Sequence, residues 1–175
     1  MHGFSVAGVN RAHPLNRGLA AWWMALPGQA HGVLWRDLMG RRDGTLTLMV
    51  PGTDHGGPRG RPGGYGRIEF DGVDGYITAA NLAAPGEVTI AFWLRPRVSQ
   101  IGTIITQGTT TSTLDFRVRI NAAESVQFFG WGTTSATVAS GTISLGAWRH
   151  IVVTRSGASG SWPCALYLDG KLKDS

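Results

Sequence analysis

Residues 87–95, EVTIAFWLR, place Val88, Ile90, Phe92 and Leu94 on one face and Thr89, Ala91, Trp93 and Arg95 on the other. Residues 115–121, DFRVRIN, set Phe116, Val118 and Ile120 against Arg117 and Arg119. Residues 125–131 (SVQFFGW), 148–155 (WRHIVVTR) and 165–169 (ALYLD) alternate in the same way. A period of two lets one face of a strand be buried while the other stays wet, which antiparallel sheets use and helices cannot. Residues 19–24 are a candidate first strand. No amphipathic helix is predicted beyond one short helical turn around residues 81–84.

Turn signals separate these runs. Asp169-Gly170, between ALYL and KLK, is a two-residue hairpin signal. Asp43-Gly44, Ser156-Gly157 and Gly146 mark further turns, and residues 51–66 form a long loop too rich in Gly and Pro for a strand. The 26 glycines suit many short strands joined by tight turns. With 42% hydrophobic and 15% charged residues, the chain can bury a core and is not of disordered composition. The predicted fold class is all-β, an antiparallel two-sheet sandwich or jelly roll. A single cysteine, Cys164, excludes an internal disulfide and reads as a small buried hydrophobe in a strand. The longest apolar run, LAAWWMAL at residues 19–26, is too short to span a bilayer. The opening MHGFSVAGVNRAHPLN has no basic stretch followed by an apolar one, so no ordinary secretion signal is read there.

Several segments together resemble one family. FDGVDGYI (residues 70–77) resembles the F-D-G-x-D-[DG]-Y-[IV] block of laminin G-like jelly-roll domains, within the concanavalin A-like lectin/glucanase superfamily. VTIAFWLRP resembles the family's F-T-I-x-x-W-[VL]-x-P strand, GAWRHIVVTRSG its G-x-W-H-H-V-A-x-T-x-D-G strand, and ALYLDGKL its L-Y-[VL]-D-G hairpin. LWRDLMGRRDGTLT resembles the D-x-S-G-x-x-x-x-G-T-L opening, and NRGLAAWWMALP the start of the phage and environmental-bacterial branch. The resemblance covers residues 13–175, after an N-terminal arm of residues 1–12. In the family, further strands follow the L-Y-V-D-G hairpin. The expectation is therefore a sandwich that lacks its last strands in this chain, with an exposed or partner-covered edge near residues 165–175.

The resemblance implies a non-enzymatic structural or binding module. The setting expected from it is a phage virion, as a head decoration or tail-associated adhesin. Expected partners are neighbouring virion or surface protein subunits in an oligomer or larger assembly, and a glycan. Neither a membrane nor nucleic acid is expected. Two alternatives are a laminarinase-type glycoside hydrolase and a fragment of a bacterial surface adhesin at the cell surface.

The carboxylates Glu69, Asp71 and Asp74 decide between enzyme and module. Laminarinase-type enzymes carry E-x-D-x-x-E on one strand, and Glu69-x-Asp71-x-x-Asp74 is close to it. On a strand, Glu69 and Asp71 share a face roughly 7 Å apart, near the separation of a retaining pair. Gly72 argues for a turn instead, which takes Asp74 off that face. As hard oxygen ligands, Asp71 and Asp74 are the candidate pair for calcium, with backbone carbonyls and water to complete its shell. An EF-hand is excluded, because Leu82 stands at loop position twelve. The remaining reading is that the Asp carboxylates cap their own turn, with Phe70 and Tyr76 anchoring it in the core. In that reading residues 67–70 are a strand running into the turn.

Among the seven Trp residues, Trp93 and Trp148 match core positions of the family, which implies structural roles. Trp22, Trp23 and Trp35 are expected to pack the N-terminal strand and its return. Trp131 and Trp162, in turns rich in Gly, Ser and Thr, are the candidates for stacking on a sugar ring. His150 is expected to be packed. The histidines show no zinc-ligand spacing. The net charge of +5 and the arginines in or beside the long loop, Arg41, Arg42, Arg59, Arg61 and Arg67, admit an anionic partner, though a solvated basic loop is the plainer expectation.

Overall fold

The computed structural model describes residues 12–25, 30–31, 33–50, 66–82, 87–108, 116–121, 124–130, 133–137, 143–156 and 163–175. The chain forms two compact units, Met1–Ala80 and Asn81–Ser175. Among the described residues the only helix is a 3-10 turn, Pro14–Asn16, and none is long and apolar enough to cross a membrane.

In the first unit, β1 (Ala30–His31), β2 (Leu34–Trp35), β3 (Gly44–Thr47) and β4 (Tyr76–Thr78) form an antiparallel sheet in that order. Leu46 is buried and pairs across the ladder with Ile77. A Cβ on Gly44 would meet the Ile77 Cγ2 at 2.8 Å, so glycine is what lets the two strands close there. Trp23 and Trp35 pack at 6.3 Å between ring centroids, and their indole N–H groups donate to the carbonyls of Arg42 (2.8 Å) and Met24 (3.0 Å). That is the packing expected of them; Trp22 stays largely exposed.

Three expectations fail in this unit. Residues 19–24 form no strand, only an isolated bridge from Trp23 to Asp37. Residues 67–70 are not a strand either; the strand, β4, comes after the acidic turn. Phe70 and Tyr76 do not anchor the turn in a core, being 50% and 49% exposed. Register is the reason for Tyr76: it pairs with Thr47 in the row next to buried Leu46, which is opposite Ile77.

The second unit is an antiparallel sandwich, as expected. One sheet has the order β12-β11-β10-β5, built from β5 (Val88–Leu94), β10 (Arg149–Arg155), β11 (Cys164–Leu168) and β12 (Lys171–Asp174). The other runs β6 (Gly102–Gln107), β7 (Phe116–Ile120), β8 (Val126–Gly130) and β9 (Thr133–Thr137). Phe116, Val118, Val126 and Phe128 of one sheet and Ile151, Val153, Leu166 and Leu168 of the other form a single buried cluster. These are alternate residues of their strands, so the sequence period is what builds the core. Val88, Ile90, Phe92 and Leu94 pack against the cluster, and Cys164 is buried in it. β12 pairs with β11 alone among the described residues and forms a sheet edge, where the sequence places one.

Asp169 and Gly170, with φ of 49° and 77°, make the two-residue turn joining β11 to β12 in register Leu168 to Lys171. Paired positive φ values match the twist of the strands they join. Asn81 and Leu82 are not helical, and the remainder of that expected helical turn lies outside the described residues. Leu82 is held instead by the Gln107 side chain, which accepts from its N–H (3.1 Å) and donates to its carbonyl (3.0 Å).

Candidate functional site

The acidic stretch is a turn. Gly72 has φ of 78°, and the Asp71 Oδ1 accepts from the N–H of Val73 at 2.9 Å and of Gly75 at 3.5 Å. These bonds, Val73 first, hold the Asp71 carboxyl below its ordinary value. Asp74 is exposed on the same turn. Glu69 lies outside any strand and pairs with Arg67 at 3.3 Å. The turn-capping reading thus has direct geometric support, and the shared strand face that a carboxylate pair needs is not formed. Among the described residues no group of three or more His, Cys, Asp or Glu side chains converges.

Trp131 and Trp162 lie outside the described residues. Trp93 and Trp148, by contrast, are not core residues: they are 64% and 45% exposed. The physical reason is parity. Trp93 shares its face of β5 with Thr89 and Ala91, opposite the row that packs the core. It pairs across the ladder with His150, and the two rings stand 5.0 Å apart, tilted by 39°. His150 is therefore packed as expected, but on the outer face of the sheet. Beside it, Asp169 accepts from the His150 N–H (3.0 Å) and from the Arg149 guanidinium (2.8 Å). Those two bonds, in that order, draw the Asp169 carboxyl below its ordinary value. The result is an exposed indole packed on His150, whose backbone N–H is held by the Asp169 carboxylate.

The other sheet also carries an outer face. Arg117 and Arg119 of β7 alternate with core residues and reach over the ring of Phe129, with guanidinium carbons 4.9 and 4.7 Å from its centroid. Alternation in the sequence places both arginines on the wet face. It gives no sign that they meet a phenyl ring from the next strand.

In the first unit, a shallow cavity of about 340 Å³ is lined by Arg17, Arg41, Arg42 and Met39, among others. The buried Asp37 carboxylate accepts from the backbone N–H groups of Trp22 and of three residues that line this cavity, Met39, Arg41 and Arg42, at 2.8–3.1 Å. The Arg42 guanidinium donates to the Ala20 carbonyl at 3.0 Å. Of the basic loop, Arg42 and Arg67 are thus tied into local structure, while Arg59 and Arg61 lie outside the described residues.

No curated protein and no solved structure is a significant match to this chain. One family model, Laminin_G_3, described as the concanavalin A-like lectin/glucanases superfamily, matches residues 71–175. That stretch holds the acidic turn, β4 and both sheets of the sandwich. With the antiparallel architecture and an ordered match over more than half its length, the chain belongs to the laminin G-like domains of the concanavalin A-like lectin/glucanase superfamily.

Proposed function

We propose that the chain is a non-enzymatic binding module whose ligand is carbohydrate. The observation that carries this reading is the exposed Trp93 indole, braced by His150, whose backbone N–H is held by the Asp169 carboxylate. A sugar ring offers an apolar face that stacks on an indole and a rim of hydroxyls that hydrogen-bond to charged groups beside it. Membership of a superfamily of lectins and glucanases supports the same ligand class. The non-enzymatic part rests on the turn: Asp71 is spent on backbone N–H groups and Glu69 on Arg67. A glycan array tests the proposal. Trp93→Ala is expected to weaken the best neutral ligand about tenfold while leaving the fold intact. An array without a hit, or a variant that binds as the parent does, sinks it. Running the array with calcium and with a chelator tests Asp71 and Asp74 as the calcium pair. A virion surface is the setting that the sequence resemblance favours, and detection of the protein in purified particles tests that separately.

A further inference from the structure

The outer face of the β6-β7-β8-β9 sheet has a chemistry unlike that of the Trp93 face. Ladder register sets two rows across it: Thr106, Arg117 and Phe129, then Thr103, Arg119 and Gln127. Phe129 points away from the core cluster, yet it is only 7% exposed. Both guanidiniums lie within 5 Å of its ring centroid, so they share one aromatic partner. The Arg119 Nε donates to Gln127 Oε1 at 2.7 Å, which fixes that fork. The buried Arg117 Nε has no hydrogen-bond partner among the described residues. The described strands of this sheet, GTIITQ, FRVRI, VQFFG and TTSAT, contain no Asp or Glu; Asp115, which precedes Phe116, lies outside the described residues.

The ring quadrupole attracts both guanidiniums, but no counter-charge stands among the described strands of this sheet, so an anion reaching both would relieve their mutual repulsion. Guanidiniums are planar forks that match carboxylate and sulfate oxygens, and the Phe129 ring holds them with little freedom left to lose on binding. Thr103 and Thr106, exposed at the head of each row, add hydroxyls suited to a sugar. We infer that Arg117, Arg119 and Phe129 form a site for the acidic groups of an anionic polysaccharide, either carboxylated or sulfated. The site lies on the sheet opposite Trp93 and does not depend on it.

Retention of the full chain on immobilised oligogalacturonate, dextran sulfate and neutral dextran tests this. Binding to one or both acidic matrices, weakened by salt and absent on dextran, is expected; the two acidic arms tell carboxylate from sulfate. The double variant R117Q/R119Q is expected to lose about tenfold or more of that affinity, and R117K/R119K to recover only part of it, because lysine restores charge without the fork. Phenylglyoxal labelling of the unaltered protein needs no variant: the acidic glycan that binds should protect Arg117 and Arg119. Equal retention on dextran, no loss in R117Q/R119Q, or no protection overturns the inference. Tighter binding of single-stranded DNA than of either acidic glycan overturns it in favour of nucleic acid. Trp93→Ala should leave acidic-glycan retention unchanged, so failure of the neutral-sugar proposal and failure of this one are separable.

Discussion

Asp37 keeps its charge while 4% exposed. Burial acts first and pushes its carboxyl up. Four backbone N–H groups, from Trp22, Met39, Arg41 and Arg42, together outweigh it and leave the carboxyl below its ordinary value of 3.8. The stability this linkage supplies is complete above that value and is lost as pH falls through the lower folded value. Asp37→Asn replaces one acceptor oxygen by a donor facing N–H groups, and an expected cost of about 2–3 kcal/mol follows from the unmet donors. Urea melts at neutral pH check the cost, and the gap between parent and variant should narrow toward acid; a gap constant down to acid pH contradicts the charge argument. Sequence signalled this region only as a family-like opening, because one of the four converging N–H groups, that of Trp22, comes from fifteen positions before Asp37. Trp93 was more legible than the resemblance allowed. Its parity with Thr89 and Ala91 already placed it outside, whereas matching it to a core position reversed the answer. The parity of Arg117 and Arg119 was equally readable, but their shared ring on β8 was not, since cross-strand register is not written in either strand alone.

Strands with clean alternation were the ones visible beforehand. β5, β7, β8, β10 and β11 each fall within a residue or two of their expected runs. β6 was missed because a bulge between Thr103 and Ile105 breaks its period, leaving Ile104 and Ile105 both against the core. β9, TTSAT, has the composition of a loop and becomes a strand through pairing with β8. The β11–β12 hairpin was readable because its turn demands particular residues. At Gly170 an added Cβ would meet nothing within 4 Å, so only the φ of 77° resists substitution. Gly170→Ala is therefore expected to cost about 1 kcal/mol, and Gly170→Asn less, since asparagine tolerates left-handed backbone. Chemical denaturation of the two variants decides it. Equal losses from Ala and Asn point to a contact at this site instead of backbone strain.

Both sheets of the sandwich, and every residue of its buried cluster, lie within Asn81–Ser175. The first unit is thinner, with two- to four-residue strands and several large apolar side chains left exposed. That contrast explains why sequence patterning was strong from residue 87 onward and misleading before it: alternation is enforced only where a strand has a core to face. If the core of a unit is what makes it fold, residues 81–175 should fold by themselves. Expressed alone, that segment is expected to unfold cooperatively in urea with a β-type circular dichroism spectrum. Ile151, fully buried and central in β10, gives the sharper probe. Ile151→Ala should cost about 2–5 kcal/mol in the full chain and in the segment alike, because the buried cluster it belongs to is drawn from residues of the segment. A segment that shows no cooperative transition, or one in which Ile151→Ala costs far less than in the full chain, means that the sandwich core is completed by residues before Asn81.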